Sequence, residues 1–215
     1  MWHDIDKGFQ IAFQKAWEAY NNNTVPIGVA ILDAEQNLVA TGQNQIYTDG
    51  DGLLKYHQLA HAEINAILKL SEITDPTIKK HIRTYTLYST MEPCPLCFGA
   101  IVMGSIRNVH FAARDSYAGA TALNESLGYI KNKGIKVSGP FGELETVQIA
   151  LQTCYELQRG SYVDVLLPSW KQISERGVLL GERLHKEHIL QDMNSREVGD
   201  VYDCIACMSV RKITG

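Results

Sequence analysis

The chain has no basic excess: 20 Lys and Arg stand against 24 Asp and Glu, a net charge of −4. A surface that grips a polyanion concentrates Lys and Arg, so nucleic acid is disfavoured as the partner. Residues 131–136 and Arg211-Lys212 are modest basic clusters. Most such runs are solvated faces. No apolar stretch approaches membrane length, and no charged-then-apolar segment resembling a signal peptide opens the chain. No internal repeat or low-complexity tract is found. Cysteine is scarce, five in 215 residues. That length suffices for one sizeable core and an appended subdomain.

What is present is a constellation. His61-Ala62-Glu63 is followed by Pro93-Cys94-Pro95-Leu96-Cys97. One imidazole and two thiolates form the three-ligand set of a catalytic zinc, with a fourth position left for water. The two cysteines, three apart, share one face of a helix. Pro93 and Pro95 suit the start of that helix, where early N–H groups lack partners. Its N-terminus favours thiolate over thiol. Two thiolates and a neutral imidazole neutralise the metal, and the pKa of a bound water falls to about 7. Glu63 is placed to move that water's protons. Residues i and i+2 do not share a helix face, so His61 and Glu63 meet one water only if the metal sits at a helix start. The apolar residues Ile64, Ile67, Leu68 and Leu70 then read as the buried stripe of that helix. A closed structural zinc needs a fourth ligand and has no use for Glu63.

With these residues in place, the chain resembles the cytidine deaminase-like superfamily, closest to the branch of guanine deaminases and tRNA adenosine deaminases. The resemblance rests on Val25-Pro26-Ile27-Gly28, Asn44, His61-Ala62-Glu63-Ile64, Glu92-Pro93-Cys94-Pro95-Leu96-Cys97-Phe98-Gly99-Ala100-Ile101 and Ala112-Ala113-Arg114-Asp115. It covers residues 1–158. It implies one catalytic Zn2+ per chain on His61, Cys94 and Cys97, with Glu63 as the acid–base group. It implies substrate contacts at Asn44, Ala62 and Asp115, and a homodimer. Asn44 also reads as a polar residue ending a strand. Asp115 also reads as a turn or capping residue beside Arg114. Pro26 and Gly28 shape either a pocket wall or a helix-to-strand turn. Free-nucleoside cytidine deaminases usually carry Cys where this chain has His61, which makes that branch a poorer match.

Apolar spacing from Phe9 to Tyr20 predicts a first helix ending at Asn21-Asn22-Asn23. Strands are expected at residues 27–32, 38–41, 84–89, 107–112 and 135–138, and a further helix at 143–158. Strands alternating with helices argue an α/β sandwich around a mixed sheet. The resemblance sharpens this to a three-layer α/β/α sandwich with a five-stranded sheet. Loops at 44–58 and 116–133 are long enough to border a substrate pocket.

Residues 159–215 form an extension of unknown role beyond the 1–158 deaminase domain. Residues 163–167 have β character and Pro168 ends them. Residues 177–189 suit a helix. His185, His188, Cys204 and Cys207 are either a second, structural zinc site or ordinary surface and core residues. Cys154 suits a small buried position in a helix.

The resulting expectation is a cytoplasmic, zinc-dependent hydrolase. It deaminates a small amino-substituted base or nucleoside, foremost a purine such as guanine. A tRNA adenosine deaminase is the alternative. An inactive deaminase fold kept as a binding module is a third reading, opposed by the intact His61, Glu63, Cys94 and Cys97. Two cysteines on zinc and three left over indicate a reducing compartment.

Overall fold

The computed structural model describes residues 1–73 and 76–210, with backbone alone at 77–79 and 210. Arg211-Lys212 therefore lies outside the described residues. The chain begins with a short 3-10 turn at Trp2–Asp4 and helix α1 (Lys7–Asn21), capped by the Asp6 carboxylate on Gly8 N–H. Strands β1 (Gly28–Leu32) and β2 (Leu38–Gln43) follow, then helices α2 (Ala62–Glu72) and α3 (Pro76–His81). Next come β3 (Thr86–Met91), α4 (Pro95–Met103), β4 (Asn108–Ala113), the short helices α5 (Leu123–Ser126) and α6 (Gly128–Lys131), and β5 (Lys136–Ser138). The chain closes with α7 (Gly142–Arg159), α8 (Val163–Lys186), α9 (Ile189–Asp192) and α10 (Val198–Val210).

The five strands form one mixed sheet in the order β2-β1-β3-β4-β5. β1 pairs antiparallel with β2 and β3; β3, β4 and β5 run parallel. Strand side chains alternate between faces, and the alternation assigns two cores. Val29, Ile31, Leu87 and Val109 point toward α2 and α4, where Ala62, Ala66, Phe98 and Ile101 meet them. Ala30, Leu32, Tyr88 and Ala112 point toward α1 and α7, meeting Phe9, Phe13, Ala150 and Cys154. Each fully buried Leu, Ile or Phe contributes roughly 1.5–3 kcal/mol. This is the three-layer α/β/α sandwich with a five-stranded mixed sheet that the family resemblance implied.

Residues 159–210 of the extension add to the second core. Leu180, Leu184, Leu190, Val201, Tyr202 and Ile205 join Phe13 and Trp17 in one cluster. α8 lies so close on α7 that a Cβ at Gly181 would collide with Thr153 and the Ala150 carbonyl. On the other face Gly42 does the same for the start of α2: any side chain there would meet the Ala62 carbonyl. That contact seats His61 at the sheet.

Three expectations change. Residues 163–167 are not a strand; they begin α8, and Pro168 lies inside it. Burial of Leu167 and Trp170 against Met91, Ala113 and Ile149 outweighs local β propensity. The helix breaks instead at Ser174, whose φ of −146° and ψ of 69° are non-helical. Ile64, Ile67 and Leu68 are only half-buried. The deeply buried residues of α2 are Ala62, Glu63, Asn65, Ala66 and Leu70. The helix presses so closely on β2 that small and polar residues take the inner face. The 116–133 loop holds α5 and α6. No described helix is long and apolar enough to cross a membrane.

Candidate metal centre

His61 is the N-cap of α2 and Cys94 the N-cap of α4. Both sit at points where the chain turns from extended backbone into a helix. Pro95 occupies the first position of α4, where its missing N–H costs nothing. The two helix starts lie side by side on one face of the sheet. His61 Nδ1 is 3.7 Å from Cys94 Sγ and 3.5 Å from Cys97 Sγ. All three candidate donor atoms lie within 4.8 Å of one another.

Tetrahedral zinc with Zn–S of about 2.3 Å and Zn–N of about 2.0–2.1 Å sets N···S at about 3.6 Å. The observed separations fit that geometry. The His61 ring also hydrogen-bonds the Gln58 backbone, the kind of outer contact that fixes a ligating imidazole. The bond from the Cys97 thiol, followed by that from His61, holds the Cys94 thiol down to about 4. The same bond to Cys94, with burial, pushes Cys97 up. The hydrogen bond with Cys94 raises the His61 imidazole. The group therefore already stabilises a thiolate, the form a metal takes.

Glu63 lies in the first turn of α2 and is 4 % exposed. Its Oε1 accepts from Ser89 Oγ at 3.3 Å. Burial, then the Cys94 charge, raises its carboxyl above the ordinary range. The β1–β3 register places Val29 opposite Ser89, so Glu63 stands at the end of the sheet where β1 begins. That end also receives Asn44, which follows β2 directly. Asn44 N–H donates to the Ile27 carbonyl at 3.1 Å. Its Oδ1 accepts from Thr24 Oγ1 at 2.9 Å and Ile46 N–H at 3.1 Å. The amide nitrogen is left as the group Asn44 can offer. Ala62 is fully buried between His61 and Glu63.

Asp115 is differently engaged. Its Oδ1 accepts from Tyr117 N–H at 3.0 Å, Ala118 N–H at 3.1 Å and Trp170 Nε1 at 3.3 Å. The first two bonds close a turn, and the third ties that turn to the extension. Ser116 and Ser169 hydroxyls add a 2.8 Å contact across the same seam.

Sequence reasoning missed three contributors. Ser89 orients Glu63 and has no motif of its own. Glu92, inside the quoted cysteine motif, holds the loop after β4. Its Oε1 accepts from the Thr121 backbone and hydroxyl, and its Oε2 from Asp115 N–H. Trp170 lies beyond every recognisable motif. His185 and His188 have ring centroids 6.4 Å apart. Among the described residues, the one group of metal-donor side chains is His61, Cys94 and Cys97. The second zinc site is thus not assembled.

Residues 3–113 match the family of the cytidine and deoxycytidylate deaminase zinc-binding region. A cytosine deaminase from Candida albicans is 24% identical over 157 residues, 73% of this chain and 88% of that protein. A tRNA-specific adenosine deaminase from Rickettsia bellii is 32% identical over 123 residues, 57% of this chain and 77% of its own. A guanine deaminase from Bacillus subtilis is 31% identical over 104 residues, 48% of this chain and 60% of its own.

Proposed function

The chain belongs to the cytidine and deoxycytidylate deaminase zinc-binding family, and from that premise we propose that it removes the amino group of a small heterocycle by hydrolysis. The preferred substrate class is a purine base or nucleoside such as guanine. The observation that carries the reading is a buried carboxylate, Glu63, beside a His61–Cys94–Cys97 group whose spacing suits zinc. Zinc, when bound, activates water for attack on the amino-bearing ring carbon. Glu63 accepts the first water proton and delivers it to the neighbouring ring nitrogen. It then takes the second proton and gives it to the departing amine. Water and the amine become a carbonyl and ammonia, and Glu63 ends as it began. Ser89 holds the carboxylate in place. Asn44 donates its amide N–H to the ring, and Ala62 contacts the ring from the helix start. Asp115 contributes by holding the loop wall that Trp170 braces.

A small substrate is supported by the extension. Trp170 and Ser169 of α8 bond to the loop after β4, the loop that Glu92, next to the cysteine motif, also holds. In the basic cluster near residue 131, Lys131 faces the Glu125 carboxylate at 3.7 Å, while Lys133 lies over the Tyr129 ring and keeps its charge. The tRNA-specific relative keeps tRNA as the second reading. A homodimer belongs to the same proposal, and the 71 % exposed Met103 on α4 is one residue a partner can cover.

One preparation tests these readings. Zinc is measured by mass spectrometry and ammonia release is followed on amino-purines, amino-pyrimidines and pterins. About one zinc per chain and turnover of a purine are expected. Turnover confined to a tRNA anticodon stem-loop, weakening steeply with salt, establishes the second reading. Full zinc with no release from any of them indicates a binding module.

A further inference from the structure

The metal centre and its carboxylate come from α2 and α4, on one face of the sheet. The helix on the other face, α7, reaches the same sheet end. Its Glu145 accepts from Arg114 N–H at 3.1 Å, just past β4. Its Gln148 donates Nε2 to the Pro26 carbonyl at 2.9 Å, just before β1. A planar ring held at these strand ends with its amine toward Glu63 turns its opposite edge toward α7.

That edge meets an unusual surface. Gln148, Gln152 and Glu156 recur every four residues, so they share one helix face. They are 0 %, 3 % and 4 % exposed. The Gln152 Nε2 donates to Glu156 Oε1 at 3.2 Å. Both amide nitrogens are thereby engaged, which fixes the amide orientation. Gln148 Oε1 and Gln152 Oε1 are left as buried acceptors without a partner among the described residues, as is Glu156 Oε2. A buried acceptor left unsatisfied is destabilising by about 1–3 kcal/mol. Nothing in the deaminase chemistry uses these three residues. Ile27, Leu157, Leu166 and Trp170 pack as one apolar cluster beside them, which leaves the row enclosed.

We propose that Gln148 and Gln152 are specificity-determining residues, accepting hydrogen bonds from ring N–H on the substrate edge opposite the amine. Glu156 is a positioning residue that orients Gln152. In a 4-aminopyrimidine or 6-aminopurine that edge carries the ring nitrogen that bears the sugar in a nucleoside; in guanine it is the imidazole edge, where the free base can carry its proton on N7 and the nucleoside, substituted on N9, carries none. The row therefore selects a free base, because a ribose on the ring removes the N–H that its acceptors need. This inference rests on the deaminase reading and narrows it from base or nucleoside to free base.

The test uses the zinc-loaded full chain and matched probes: each free base of the panel, its counterpart methylated on the sugar-bearing ring nitrogen, and its nucleoside. Gln148→Met and Gln152→Met remove each acceptor with little change of shape, and thermal melting confirms that each folds. Wild type is expected to favour the free base by about ten- to hundredfold in kcat/KM, the range of a lost buried hydrogen bond. Either variant shrinks that preference to about threefold, through KM, with kcat on the free base nearly unchanged. A merely structural glutamine lowers stability without moving the ratio between probes. Variants that keep the wild-type preference, or a wild type indifferent to methylation, overturn the proposal. If no base or nucleoside releases ammonia, the hydrolytic reading falls by itself. Calorimetric binding of the same probe pairs then decides the row: a free-base preference lost in the variants upholds it, and no preference overturns it.

Discussion

Two C-x-x-C pairs occur in this chain, and the fold uses them in opposite ways. Cys94 and Cys97 open a helix; Cys204 and Cys207 lie within one. At the first pair, Pro95 and the N-cap position place the sulfurs where α2 delivers His61. The Cys97 bond and then His61 hold Cys94 down to about 4. At the second pair, burial and then the Cys207 charge raise Cys204, and Cys207 is exposed. Spacing alone does not distinguish the two. The helix start and the third donor do, because a thiolate needs both a field that favours it and a partner within reach.

The largest effect expected from breaking that contrast is at Cys94. Cys94→Ala should lower zinc from about one per chain to background and abolish ammonia release with it. Zinc by mass spectrometry and rates on the same sample check this. Full metal and full activity would refute the ligand set. Glu63→Gln comes next. An amide keeps the size of the side chain but cannot accept and return a proton. Zinc should stay, while turnover falls by roughly 10²–10⁴. Lost zinc would make Glu63 a ligand; near-normal turnover would move the proton chemistry to another group.

The same contrast explains what was legible in the sequence. His61, Glu63, Cys94 and Cys97 were readable because their chemistry is local: each lies in a short motif at a helix start. The strands were readable because β1, β3 and β4 are short, apolar and bounded by turn residues. The start of α8 was not, since its helicity depends on Leu167 and Trp170 finding Met91 and Ile149 across the fold. The row at Gln148, Gln152 and Glu156 was equally hidden. Three polar residues at helical spacing look like a solvated face until α8 is placed beside them. Asp115 allowed two readings in sequence; the structure shows its Oδ1 closing a turn, a bond pattern that depends on backbone conformation.

A test of intermediate size concerns Trp170, where the extension meets the matched region. Trp170→Ala should destabilise the fold by about 3–5 kcal/mol, as large-to-small core changes do. Trp170→Phe keeps much of the packing but removes the donor to Asp115, an effect of about 1 kcal/mol. Denaturant melts measure both. In the Phe variant, zinc content should hold while KM rises, because the loop after β4 loses one tether. Unchanged stability in the Ala variant would show that the extension does not brace this wall.

The smallest effect is expected at the second cysteine pair. The Cys204→Ala, Cys207→Ala double variant should keep about one zinc per chain, since the metal belongs to the His61 group. Cys207 is exposed and Cys204 only half-buried, so the stability change should stay within about 1 kcal/mol. Ammonia release should match wild type. Native thiol labelling sharpens the same point. Cys207 should react first and Cys204 more slowly, because burial holds its thiol protonated. Cys154, fully buried and bonded to the Tyr20 hydroxyl at 3.4 Å, should react only on unfolding. A wild type with two zincs that drops to one in the double variant would give the second pair a metal after all. The rule drawn from the comparison would then fail, because a pair inside a helix would have bound without a helix start.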